Sequence, residues 1–230
     1  MNLKTGLRTN VIYFVMCYTA ILILDLICGS IEELGLLRYI TKPSVIGSLI
    51  VFLILNRSKL KKEVFRLMVL ALFFSLLGDI LLLFDKIHSL FFIGGLVSFL
   101  SAHVLYVLVF AKKRNPNKRN LIFLIITLCY GVLLFFYLKD GLAELLIPVI
   151  IYMIVILTMS NMSYLREGKV SVHSYQLVFV GSLFFMLSDS LLAINMFYKP
   201  LYLGNILIMS TYAIAQLLIV YGVLNQGDKV

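Results

Sequence analysis

Charge is scarce in this chain. Only 13% of its 230 residues are Asp, Glu, Lys or Arg and 62% are hydrophobic, where a soluble domain is about half apolar and about a quarter charged. With a mean hydropathy of +1.04, an ordinary soluble domain is excluded and a polytopic membrane protein is predicted. Cysteine is nearly absent as well. Cys17, Cys28 and Cys129 fall within or at the end of apolar runs with no C-x-x-C or other ligand spacing, so they read as small packing residues. Histidine is equally rare. Catalytic zinc usually takes three protein ligands, yet only His103 lies well inside an apolar run, with His88 in a turn and His173 at a helix start. A metal hydrolase is therefore disfavoured and no cofactor is expected. The chain also has no G-x-S-x-G elbow, no P-loop and no dinucleotide motif. It has no linker or low-complexity stretch, which predicts a single transmembrane domain over residues 1–230.

What is present is a succession of apolar runs, each near the roughly 20 residues needed to cross the hydrocarbon. Eight are predicted, over 11–29, 40–56, 64–84, 89–111, 120–138, 142–164, 173–196 and 202–224. The fold class is thus an all-α bundle of eight transmembrane helices, with short connections that make successive helices antiparallel neighbours. The second run opens at Lys42-Pro43, where proline suits a first turn. Lys4 and Arg8 before the run from Val11 resemble a signal peptide. That run carries Asp25 and lacks a small-x-small site, so a retained first span is expected.

The formal charge of +9 does not point to nucleic acid, because the basic residues lie in short loops. Fifteen of the 20 fall on one side: Lys4, Arg8, the clusters Arg57–Arg66 and Lys112–Arg119, Arg166, Lys169 and Lys229. Arg38, Lys42, Lys86, Lys139 and Lys199 stand on the other. The positive-inside rule puts both termini in the cytoplasm, as an even number of spans requires. The small amount of chain outside the spans favours a bacterial plasma-membrane protein, with an endoplasmic-reticulum protein as the alternative. Oligomeric state is not legible.

Two aspartates lie inside these spans, in Leu77-Gly78-Asp79-Ile80-Leu81-Leu82 and Leu187-Ser188-Asp189-Ser190-Leu191-Leu192. A carboxylate there costs about 2.5 kcal/mol or more and marks a functional site by default. At the same 110-residue offset Gly94 aligns with Gly204, Ser101 with Thr211 and Tyr106 with Gln216. Two parallel four-helix repeats follow, related by an axis along the membrane normal. Counting about 1.5 Å per residue puts both aspartates roughly 8–10 Å below the outer boundary. A facing pair at that depth does not ionise together, so one carboxyl is kept as an acid. The alternative is a structural hydrogen bond from each aspartate to a neighbouring helix.

Other polar groups share the outer half. Lys42, Tyr39 and Asn195 stand at outer helix ends, where a lysine either binds a lipid phosphate or snorkels. Asp25 and Glu144 read as interfacial. Tyr152 and Tyr212 fall near mid-bilayer, and His103, Tyr106 and Gln216 deeper. Straight helices separate His103 from Asp79 by about 13 Å in depth, so contact needs tilt.

Several of these motifs resemble the YhhN/TMEM86 family. They are Lys42-Pro43, Phe74-Ser75-Leu76-Leu77-Gly78-Asp79, Phe99 to His103 with Tyr106 and Phe110, Ile147-Pro148 through Tyr152-Met153, Leu187 to Ala193 with Asn195, and Tyr212 with Ala215-Gln216. The match covers most of the chain from about residue 40. Ala102 departs from a frequent glycine and Met196 from a frequent polar residue. The resemblance implies a lysoplasmalogenase, an integral membrane hydrolase that cleaves the vinyl ether bond of lysoplasmalogens to a fatty aldehyde and glycerophosphoethanolamine or glycerophosphocholine. It implies Asp79 and Asp189 as catalytic residues, and Lys42, Tyr152, Asn195, Tyr212, Gln216 and His103 as substrate-binding ones. The partners are then a lysophospholipid and membrane lipids, with no metal.

Vinyl ether hydrolysis by protonation at carbon suits a protonated and an ionised aspartate. Gly78 leaves Asp79 in apolar surroundings, whereas Ser188 and Ser190 stand ready to bond Asp189, which makes Asp79 the expected acid. The rival readings are a proton-coupled transporter or lipid-binding protein, and a hydrolase of another lysolipid. Neither aspartate run contains proline, unlike the broken helices common at transporter sites, which favours a fixed catalytic pocket.

Overall fold

The computed structural model describes residues 3–227 of the chain, and the side chains of residues 11–227. The side chains of Lys4 and Arg8, and Lys229, which enter the charge asymmetry, lie outside the described residues. Within hydrocarbon every backbone donor and acceptor must be satisfied inside its own segment, so these apolar runs wind into continuous helices. They are α1 (Leu3–Ser30), α2 (Arg38–Leu55), α3 (Lys62–Leu82), α4 (Ser89–Ala111), α5 (Leu121–Leu138), α6 (Leu146–Tyr164), α7 (Val172–Phe197) and α8 (Gly204–Leu224). All eight are long and apolar enough to cross a membrane. No strand occurs among the described residues.

Three helix starts differ from expectation. Glu32–Leu37 winds as 3-10 turns straight into α2, which therefore begins at Arg38 and leaves Pro43 past the first turn. Lacking an N–H, Pro43 leaves the Tyr39 carbonyl without its intrahelical partner. Ahead of α6, Ala143 takes a left-handed φ of 42°, and ahead of α8, Leu203 takes one of 56°. Each breaks the helix before the apolar run is fully used.

The most extensive packing joins α3 to α4 and α7 to α8, the pairs that the 110-residue offset relates. Small residues permit it, as is usual between membrane helices. A Cβ on Gly181 of α7 would stand 3.0 Å from the Ala215 carbonyl of α8. A Cβ on Gly78 of α3 would stand 2.7 Å from the Phe99 ring of α4. Gly78→Val is accordingly expected to displace Phe99 and cost about 1–3 kcal/mol, the usual range for overpacking, read as a lowered thermal unfolding temperature in detergent. An unchanged temperature would show that Phe99 moves freely.

The offset also relates residues that touch. Tyr106 donates to Gln216 Oε1 at 2.5 Å across 110 residues; contact between equivalent positions is what an axis running between the halves produces. The repeat reaches farther than the sequence similarity does. Lys42 on α2 and Tyr152 on α6 share that offset, and each meets the aspartate of its own half.

Among the remaining surface and loop residues, two cysteines and Arg166 depart from expectation. Cys28 is buried, but Cys17 and Cys129 are exposed on apolar helices, so they face outward rather than pack. Glu144 is exposed in a 3-10 turn. Arg166, expected as a loop charge, is fully buried. Its Nη2 donates to Ser174 Oγ at 3.3 Å and to Gln226 Oε1 at 3.4 Å. Burial lowers its pKa to about 10, and it still carries its charge at neutral pH, tying the ends of α6, α7 and α8 together.

Candidate active site

Asp79 lies on α3 with its side chain 3% exposed. Lys42 Nζ stands 3.9 Å from its Oδ1, and Tyr212 of α8 donates to its Oδ2 at 2.9 Å. Lys42 itself is buried; rather than snorkelling, it turns inward to the carboxylate. Asp189 lies on α7 with its side chain 15% exposed. Tyr152 of α6 donates to its Oδ2 at 2.6 Å. His103 Nε2 of α4 stands 3.6 Å from the same oxygen, too far for a hydrogen bond. Equivalent positions of the two repeats thus present an ammonium to one aspartate and a phenol to the other. That asymmetry gives two similar carboxyls different electrostatic surroundings.

His103 stands beside Asp189, not Asp79, although straight helices set it deeper than either aspartate. The 26 residues of α7 span about 39 Å, more than the roughly 30 Å hydrocarbon. A helix of that length tilts or protrudes, and Asp189 meets a residue that straight counting sets deeper.

The two serines flanking Asp189 do not bond it. Ser188 donates to the Ile208 carbonyl at 3.0 Å. Ser190 donates to the Met186 carbonyl at 2.7 Å and accepts from Tyr130 at 2.6 Å. The premise for Asp79 as the acid therefore fails, because helical hydroxyls found backbone carbonyls one turn back or on the next helix.

Both aspartates line one cavity of about 810 Å³, together with Lys42, Tyr212 and Asn195. It reaches the surface at Glu32 and Lys86, both exposed. Among the described residues the two carboxylates make no contact with each other; they share a wall and keep separate partners. A narrower cavity of about 60 Å³ runs between α4, α5, α6 and α7, lined by apolar side chains such as Leu96, Leu134, Met153 and Ile156. Among the described residues Asp189 is its one charged lining residue, and it belongs to both cavities. Leu82, Phe92, Phe99 and Leu192 form the rest of the shared wall.

His103 and Gln216 are fully buried and line neither cavity. Gln216 Nε2 donates to Ser75 Oγ at 3.0 Å while its Oε1 accepts from Tyr106. Ser75 is one turn below Asp79 on α3, and Gln216 is one turn from Tyr212 on α8. This bond fixes the register that keeps Tyr212 on Asp79. Asn195 lines the large cavity and accepts from the Leu201 N–H at 2.8 Å, closing the turn into α8.

Two further residues complete the site. Asp25 is fully buried rather than interfacial, and accepts from Thr41 Oγ1 at 2.8 Å. Arg38 Nε stands 4.0 Å from Asp25 Oδ1, and its Nη2 donates to Asn205 Oδ1 of α8. Arg38 counts as a loop charge only while α2 is taken to begin at residue 40. Its spacing of four from Lys42 is the signal that puts both on one helix face.

A model described as the YhhN family matches residues 37–223. The chain is 33% identical over 149 residues to human lysoplasmalogenase TMEM86B, covering 65% of this chain and 59% of that protein. It is 29% identical over 161 residues to human lysoplasmalogenase TMEM86A, covering 69% and 65%. Pig lysoplasmalogenase TMEM86B is 32% identical over 152 residues, covering 65% and 59%. The chain thus spans about three fifths of the length of these curated relatives. No solved structure matches it.

Proposed function

The chain belongs to the YhhN family, and from that premise we propose that it is a lysoplasmalogenase-like hydrolase of the vinyl ether bond in a lysophospholipid. One observation carries the reading: Asp189 stands where a polar cavity open to the surface meets an apolar slot between helices. An amphipathic substrate with its head in the first and its tail in the second brings the bond between them to Asp189. The slot at about 60 Å³ is narrow, so a tail enters by moving flexible linings such as Met153 and Leu157.

Lys42 beside Asp79 stabilises a carboxylate there. Among the described residues Asp189 has tyrosine and histidine as its near partners and is the proton donor, reversing the assignment drawn from flanking residues. Asp189 transfers its proton to the vinyl carbon remote from oxygen, giving an oxocarbenium ion. Asp79 stabilises that cation, then accepts a proton from the water that adds to the carbon bearing oxygen. The resulting hemiacetal collapses as Asp189 takes the proton of its hydroxyl and Asp79 gives its proton to the glycerol oxygen while the carbon–oxygen bond to glycerol breaks, releasing aldehyde and alcohol. One water is consumed and both carboxyls return to their starting states. Paired carboxyls divide the labour similarly in glycoside hydrolysis. We place the ends bearing the basic clusters, and both termini, in the cytoplasm, so the cavity opens on the other side.

The test is aldehyde release from a lysoplasmalogen by purified protein in D₂O. Protonation at carbon predicts one deuterium on the carbon next to the carbonyl. Accumulation of the lipid in proteoliposomes without aldehyde would overturn the hydrolase in favour of transport.

A further inference from the structure

We infer that Arg38 is the residue that binds the phosphate of the substrate head group, and that Lys42 is not. This rests on the hydrolase reading for the identity of the ligand. Three observations carry it. Lys42 and Arg38 both line the 810 Å³ cavity, but Lys42 has only 9% of its side chain accessible and is committed to Asp79 at 3.9 Å. Drawing it to a phosphate would strip Asp79 of its counter-charge. Arg38 stands one turn nearer the mouth, with 24% of its side chain accessible.

Arg38 is also held in place from behind. Asp25 is fully buried, fixed by Thr41, and lies 4.0 Å from Nε, while Asn205 of α8 takes Nη2. The guanidinium is thereby bonded through Nη2 and faces the Asp25 carboxylate with Nε, an ion pair without a hydrogen bond, and is presented on the cavity wall. Its planar fork matches a phosphate's oxygens better than an ammonium does. A pairing so built is costly to maintain at the end of two apolar helices. The rest of the cavity's charge lies elsewhere: Glu32, Asp85 and Lys86 line its rim. Phosphate at Arg38 and tail in the apolar slot place the connecting bond across the wall that holds Asp189 and Asp79.

The experiment compares two substrates in Arg38→Met, Arg38→Lys and unaltered protein. One is a 1-alkenyl-glycerophosphoethanolamine; the other is the matching 1-alkenylglycerol, which lacks phosphate. Arg38→Met is expected to raise KM for the phosphate-bearing substrate about tenfold, the worth of one charge-assisted bond, with kcat little changed and the alkenylglycerol unaffected. Arg38→Lys is expected to fall between, and it keeps a cation facing Asp25 should the methionine variant fail to fold. Equal losses on both substrates would assign Arg38 a structural role and overturn the inference, as would no loss on either. A non-cleavable alkyl ether pair, with and without phosphate, is measured by equilibrium binding alongside. A preference for phosphate that disappears in both variants sustains Arg38 even if no aldehyde is ever released. Aldehyde release without that preference sinks Arg38 and leaves the hydrolase standing.

Discussion

Asp189→Asn is expected to lower aldehyde release from a lysoplasmalogen by about a thousandfold, within the range of general acid catalysis. The amide has nearly the shape of the carboxyl, and its oxygen still accepts from Tyr152, whose bond to Asp189 is 2.6 Å. What it loses is a proton it can give to carbon. The variant should therefore fold, bind the non-cleavable ether as the unaltered protein does, and show its defect in kcat. A kcat within a fewfold of normal would remove Asp189 from the reaction and with it the reading of the two cavities. The D₂O label supplies an independent check, since any residual turnover through protonation at carbon still deposits deuterium next to the aldehyde.

The second large effect concerns the other carboxyl. Lys42→Met leaves the Asp79 carboxylate, 3% exposed, without its cation. Removing one partner of a buried pair typically costs about 3–5 kcal/mol, and the unfolding transition in detergent should fall accordingly. Adding Asp79→Asn to Lys42→Met takes away the stranded charge and should recover much of that stability. It should not recover activity, because neither a cation-stabilising carboxylate nor a base for water remains. If the double substitution were as unstable as the single one, the 3.9 Å pair would be a neighbourly contact without energetic coupling. The cycle thus separates what Lys42 does for the fold from what Asp79 does for the chemistry.

Much of this protein is legible along the chain. The eight spans follow from hydropathy, which is a local sum over about 20 residues and survives any arrangement of the helices. Asp79 and Asp189 stand out for the same reason: an acid in an apolar run is conspicuous before its partners are known. The 110-residue offset pairs them and extends to Tyr106 and Gln216, which proves to be a contact. Less visible was the offset between Lys42 and Tyr152, because a lysine and a tyrosine share no chemistry to align.

The partners themselves were decided only by tertiary structure. Ser188 and Ser190 sit beside Asp189 in sequence and bond elsewhere, while Lys42 reaches Asp79 from another helix. Neighbours in a helix are splayed about 100° apart around its axis, so adjacency in sequence says little about contact. Which side chain meets a buried carboxyl depends on the tilt and rotation of two helices about their own axes. Those angles are set by close packing at residues such as Gly78 and Gly181, summed over the whole bundle. A run of apolar residues specifies that a helix crosses the membrane; the direction its one charged side chain faces belongs to the assembly.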